Sequence, residues 1–246
     1  MFKITNDVFE VGVLNPNLRI FDIIMKTAYG TSYNSYLVRG EKIALIDVSH
    51  ERFFDEYVKH IEEITPLDKI DYLIINHCEP DHTGALKKLI ELIPHVKIFT
   101  TPAGNINLKF ITNNSQLNIT VIKNLEILDL GNGKKLEFIL APFLHWPDTM
   151  FTYLKSDGVV FTCDFLGAHY CEPQRIDSKV NYQAAYLQSA QEYYDAIFSP
   201  FPKYVRQGLD ILSKLEFKYV CNSHGPVLTK GVQYETIYHM YETNSR

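Results

Sequence analysis

A chain of 246 residues, 46% of them hydrophobic and 22% charged, is long and apolar enough to bury a sizeable core. Its net charge of −5 gives no electrostatic reason to expect nucleic acid or an anionic membrane surface as a partner. No apolar run approaches the roughly 20 residues that a membrane-spanning helix needs, and the opening "MFKITNDVFEVG" lacks the basic start and apolar run of an export signal.

The four cysteines, Cys78, Cys163, Cys171 and Cys221, are scattered without a C-x-x-C pair. That speaks against a disulfide framework and a thiolate zinc site, so a reducing, cytoplasmic setting is expected. Sequons at Asn113 and Asn118 matter only in secreted proteins and are read as chance matches.

In chain order, β-like segments come first: "VFEVGVL" (8–14), then "NSYLVRG" (34–40) and "KIALIDV" (42–48) joined as a hairpin by "RGEK". "SHERFFDEYVKHIEEI" follows with helical spacing, after a serine placed to cap it. Strand and helix then alternate through "IDYLIIN", "TGALKKLIELI", "VKIFTT", "PAGNINLKFI" and "ITVI". A second β-rich block holds "KLEFILAP", "MFTYLKSDG" and "VVFTCD". Residues Asn181 to about Leu215 read as helical with an interruption at "SPFPK"; the strand "KYVCNSHG" and the helix "GVQYETIYHMYE" close the chain. Without a linker-like shift or a repeat, residues 1–246 are expected to form one domain. Two βα blocks of similar layout imply mixed sheets sandwiched between helices, an α/β class.

The chemistry concentrates in "NHCEPDHTG", where His77, Glu79, Asp81 and His82 fall within six positions after an apolar strand. Loops at the carboxyl ends of strands are where α/β proteins place ligand sites. Three later strand ends add His145, Asp164 and His224. Singly, His145 is as readily a buried histidine and Asp164 a helix cap; together the strand ends form a pattern. Four imidazoles and three carboxylates exceed what one tetrahedral zinc takes. Two metals about 3.5–4 Å apart, sharing a carboxylate, would use them all. A nitrogen and oxygen set without thiolate suits iron or manganese at least as well as zinc. Glu79 adds negative charge that stabilises a ferric state, which zinc chemistry does not need. Cys78 and Cys163 are read as packing residues.

These segments, in this order and spacing, resemble the metallo-β-lactamase-like diiron domain of flavodiiron proteins, the A-type flavoproteins. Metallohydrolases of that superfamily carry H-x-H-x-D-H; flavodiiron proteins carry H-x-E-x-D-H, as here. "GTSYNSYLV" (30–38), "HWPDTMFTYL" (145–154) and "DFLGAHY" (164–170) extend the likeness over essentially the whole chain. The resemblance implies a four-layer αββα sandwich. It implies one iron held by His77, Glu79 and His145, and another by Asp81, His82 and His224. Asp164 and an oxo, hydroxo or peroxo ligand would bridge them. It places His169 and Tyr194 as pocket residues beside the open coordination positions. Two departures stand out: no flavodoxin-like phosphate loop is present, so no FMN is expected in this chain, and "FDIIMKTAY" lacks a pocket histidine found in some members.

Three functions are therefore expected, in this order. The first is a standalone oxygen-binding diiron sensor reporting to a signalling partner such as a chemotaxis or redox pathway. The second is a dioxygen or nitric oxide reductase fed by a separate flavodoxin, rubredoxin or flavin reductase, or the diiron part of a full flavodiiron protein. The third is a dinuclear metallohydrolase, against which Glu79 argues. The family's head-to-tail pairing makes a homodimer an expectation; neither nucleic acid nor membrane is expected as a partner.

Overall fold

The structure, a computed structural model, describes residues 1–21, 25–114 and 116–246. Two sheets carry it. The first has seven strands in the spatial order Phe2–Lys3, Val8–Glu10, Tyr36–Arg39, Ile43–Ile46, Ile70–Ile74, Lys97–Thr100 and Ile119–Val121. Its early strands pair antiparallel. From Ile43–Ile46 onward the pairing is parallel, because helices carry the chain back between strands. The second sheet has six strands in the order Ile127–Asp129, Lys135–Leu140, Met150–Leu154, Val159–Cys163, Tyr219–Asn222 and Leu228–Thr229. Only Val159–Cys163 and Tyr219–Asn222 pair in parallel, with the helices Gln183–Tyr193 and Pro202–Ser213 lying between them in the chain.

Side chains alternate across each strand, so every central strand feeds two cores. Leu37, Leu45, Leu73 and Ile98 meet Tyr57, Ile61, Leu86, Leu89 and Leu108 from the helices Phe54–Glu62, Leu86–Leu92 and Pro102–Thr112. Their strand neighbours Tyr36, Val38, Ala44, Ile46 and Ile74 meet Phe138, Met150, Leu154 and Phe161 between the sheets. Beyond the second sheet, Phe151, Tyr153, Val160 and Val220 pack on Tyr186, Val205, Leu209, Ile237 and Tyr241 of the C-terminal helices. Each such large apolar side chain contributes roughly 1.5–3 kcal/mol by leaving water. The result is helix, sheet, sheet, helix: the expected αββα sandwich. No helix among the described residues is long and apolar enough to cross a membrane.

Departures from expectation have local causes. "VFEVGVL" is two strands, Val8–Glu10 and Val13–Asn15, in different sheets. The break lies at Gly12, where a Cβ would sit 2.1 Å from the Tyr33 carbonyl oxygen. Ser49 does not cap the first helix. A 3-10 turn, Glu51–Phe53, precedes that helix, and His50 Nδ1 accepts the Arg52 N–H at 3.1 Å. The second β block begins early, at Ile127–Asp129, a short edge strand too exposed to show an apolar pattern. The expectation about the pocket histidine absent from "FDIIMKTAY" falls partly on residues 22–24, and the first sequon on residue 115, outside the residues described.

Candidate metal centre

Beyond the strand Ile70–Ile74 the chain runs through Ile75 to Asn76, which locks the turn that follows. Asn76 donates its N–H and side-chain amide to Asp47 at 2.7 and 3.2 Å, and its side-chain carbonyl accepts from Thr152 Oγ1 at 2.7 Å, tying one sheet to the other. His77 emerges directly after this anchor. Pro80 then starts the one-turn helix Pro80–Thr83, where its missing N–H costs nothing, and the turn sets Asp81 and His82 side by side. The second sheet supplies His145 and Asp164. His224 arrives after Tyr219–Asn222, its loop sewn to the first sheet by Asn34, whose Nδ2 donates to the Asn222 and Gly225 carbonyls at 2.9 Å.

All seven residues singled out from the strand ends come together at one edge of the two sheets, and they form two groups. In the first, His77 and His145 direct Nε2 at Glu79 Oε2, at 3.3 and 3.1 Å, and both lie 3.4 Å from Asp164 Oδ2. In the second, His82 and His224 direct Nε2 at Asp81, at 3.4 and 3.0 Å, and lie 3.1 and 3.4 Å from Asp164 Oδ1. Asp164 thus turns one oxygen to each group. Ligand atoms ~2.1 Å from a common ion stand at about these separations from one another. Both oxygens of Asp81 and of Asp164, and both ring nitrogens of His82, are buried without a hydrogen-bond partner. Groups so close that do not bond to one another converge on a shared point instead. The donor set fits cations, one in each group.

The electrostatics agree. Burial alone would push each imidazole down, but the carboxylates win and raise His77, His82 and His145 to about 10. Burial likewise opposes ionisation of Glu79, yet His145 and His77 hold it down at about 2. Asp164 is held well below the usual carboxylate range by His82, His145 and His77 against its burial. The metal-free cluster therefore carries protons on His77, His82 and His145, which a metal must displace.

His169 is buried 4.8 Å from the His224 ring, with Phe21 at 4.6 Å. Its Nδ1 lies 2.8 Å from Thr31 Oγ1, its Nε2 has no partner, and burial together with the nearby His224 keeps it neutral, well below the usual range. Tyr194 is not beside it. The α-helix Gln183–Tyr193 passes there into a π turn, Tyr194–Phe198, and each residue faces differently. Tyr193 packs 4.9 Å from His169 and 6.0 Å from His224, whereas Tyr194 packs 4.7 Å from Tyr241. The sequence offers two adjacent tyrosines, and only the helical phase separates them. Reading by residue type also missed Asp47 and Asp148. Both stand in segments quoted above, but nothing in a lone aspartate announces that it anchors Asn76, as Asp47 does, or faces His77, as Asp148 does.

A four-layer αββα fold with a buried histidine–carboxylate nest at the carboxyl edge of its strands defines a metallo-β-lactamase-like domain. Within that class the profile of the ODP family beta lactamase matches residues 31–225, and the chain belongs to that family. It is 56% identical over 228 residues to the flavo-diiron protein FprA2 of Clostridium acetobutylicum, covering 93% of this chain and 57% of that protein. It is 38% identical to the anaerobic nitric oxide reductase flavorubredoxin of Shigella dysenteriae, covering 91% of this chain and 47% of the relative. Among solved structures, the rubredoxin oxygen:oxidoreductase of the anaerobe Desulfovibrio gigas superposes with a TM-score of 0.94 at 28% identity, covering 99% of this chain and 61% of that one. The chain spans about half the length of the curated relatives it matches.

Proposed function

We propose that this chain binds two iron ions, one at His77, Glu79 and His145 and one at Asp81, His82 and His224, with Asp164 between them, and that it takes up dioxygen or nitric oxide there. The observation that carries this reading is the two-sided Asp164, one oxygen toward each group, in a nitrogen and oxygen nest that includes Glu79. The names of the flavodiiron relatives support it. When bound, the iron pair supplies two reducing equivalents and open coordination positions for a diatomic gas; water formation from dioxygen takes four, so an external donor is needed. The chain's own residues shape the rest. Ser32 accepts the Nδ1–H of His224 through its carbonyl at 2.7 Å and fixes that ring. His169, neutral with a free Nε2, offers a hydrogen bond to whatever occupies the space beside His224. Tyr193 and Phe21 close over His169 and exclude water from it.

The reading favoured here is reduction with electrons from a flavodoxin- or rubredoxin-type donor. The free, buried Nε2 of His169 also favours a second reading, a sensor that retains the bound gas and reports to a signalling partner. The test is protein matured anaerobically with iron, analysed for metal, reduced and then given dioxygen or nitric oxide with and without such a donor. Two irons per chain and sustained gas consumption are expected. One zinc and no iron would overturn the diiron reading; a single turnover and then a stable oxidised product, donor present, would select the sensor.

A further inference from the structure

Asp148 is the carboxylate that neither group uses. It is wholly buried, three residues after His145, and its Oδ2 accepts the Cys78 N–H at 2.7 Å. The same oxygen lies 3.4 Å from Nδ1 of His77, the ring nitrogen facing away from Glu79 and Asp164. Neither His77 Nδ1 nor Asp148 Oδ1 has any hydrogen-bond partner. A donor and an acceptor are thus buried together with their capacity unspent, a state that costs about 1–3 kcal/mol per group if it persists. With an ion at Nε2 the ring keeps a single proton, on Nδ1 and directed at Asp148.

We propose that Asp148 is a positioning residue: it accepts the Nδ1–H of His77, fixes the ring's tautomer and orientation, and slows loss of the ion held by His77, Glu79 and His145. The inference rests on the metal-binding reading of the site. Its contrast is with the other imidazoles. His224 has a neutral main-chain carbonyl behind it, and Nδ1 of His82 has no partner. A carboxylate acceptor gives the stronger hydrogen bond and the more basic opposite nitrogen. The Asp148 backbone is anchored, for its carbonyl accepts Thr101 Oγ1 at 3.0 Å and that hydroxyl caps the helix Pro102–Thr112, while the Cys78 N–H holds its carboxylate.

The experiment uses zinc as a diamagnetic probe of the whole chain. Nitrogen–proton correlation spectra of wild-type zinc-loaded protein should show His77 with its proton on Nδ1 and resonating farther downfield than that of His224. Asp148→Asn, which keeps the side chain's shape, should move this signal upfield and leave the His224 signal in place. Chelator should then remove one of the two ions 10–100-fold faster, the other at the wild-type rate. In a His77→Gln background, Asp148→Asn should add nothing further. A His77 proton on Nε2 in the wild type would overturn the proposal, and that measurement needs no variant to fold. So would unchanged release, or an additive loss in the double variant, which would mean that Asp148 acts through the Cys78 backbone. Wild-type protein that takes up no metal would overturn the underlying site reading as well; metal-binding wild type with an indifferent variant overturns Asp148 alone.

Discussion

Around His77, Glu79 and His145 the nest is reached from outside: the side chains of Glu79 and His145 are 10% and 14% exposed. Around Asp81, His82 and His224 the corresponding values are 5%, 1% and 2%, and His169, Tyr193, Tyr33 and Phe21 pack over the far side. The first group has a carboxylate behind it, the second a main-chain carbonyl. One fold thus presents two similar ligand sets with different access and different support. Similar sets need not be equivalent sites: the surroundings decide which position exchanges with solvent and which is sealed.

The largest effect should come from removing what the two groups share. Asp164→Ala should lose both ions, since each group then has one carboxylate fewer and nothing offsets the repulsion between cations a few ångströms apart. Protein that keeps two irons per chain after this change would break the comparison at its root.

Acidity sharpens the contrast between empty and filled nests. His77, His82 and His145, raised from 6.5 to about 10, stabilise the metal-free fold fully below pH 6.5 and lose that contribution as pH climbs through 10. Glu79, lowered from 4.5 to about 2, stabilises above pH 4.5 and loses its contribution as pH falls through 2. The metal-free protein should therefore show a falling Tm between pH 6.5 and 10, by roughly 2–4 °C for each kcal/mol lost. The loaded protein, whose imidazoles carry metal instead of protons, should hold its Tm over that range. A flat profile for the metal-free protein would mean that the imidazoles are not protonated at neutral pH.

His145→Ala should release the ion of the exposed group and, above pH 10 where the imidazoles have lost their charge, cost the metal-free fold less than about 1 kcal/mol. His224→Ala should release the buried one and cost about 1–3 kcal/mol more, because the Ser32 carbonyl loses its partner. Chemical denaturation of both metal-free variants separates the two values; equal costs would show that the groups are equally supported. The smallest effect belongs to the tyrosines. Tyr194→Phe should leave iron content and gas reactivity unchanged and alter stability by under about 0.5 kcal/mol, since its buried hydroxyl has no partner. Tyr193→Phe should change the decay rate of the oxidised species at unchanged iron content. A reversed result would put Tyr194 on the pocket after all.

Much of this was legible beforehand, for identifiable reasons. The layers were legible because strands such as Ile43–Ile46 and Val159–Cys163 are buried on both faces and so read as nearly continuous apolar runs. The cluster was legible because histidines and carboxylates gathered after such strands have few structural uses. Less could be seen where geometry rather than residue type decides. The break at Gly12 depends on the carbonyl of Tyr33, far away in the chain. The choice between Tyr193 and Tyr194 depends on where an α-helix gives way to a π turn. The support given by Asp148 depends on a loop meeting a strand end from the other sheet.

Asp164 and His224 follow the ends of adjacent parallel strands, Val159–Cys163 and Tyr219–Asn222, whose pairing waits for two helices to be laid down between them. His77 belongs to the other sheet altogether. The group of Asp81, His82 and His224 cannot close around an ion until the last central strand has been inserted, and neither group closes until the sheets have docked. Contacts so distant in sequence form late, after the cost of closing long loops has been met. Metal capture is thereby a kinetic checkpoint on folding: a chain arrested with Tyr219–Asn222 unpaired has half a cage, and iron gained during refolding should appear only with the slowest phase of structure formation.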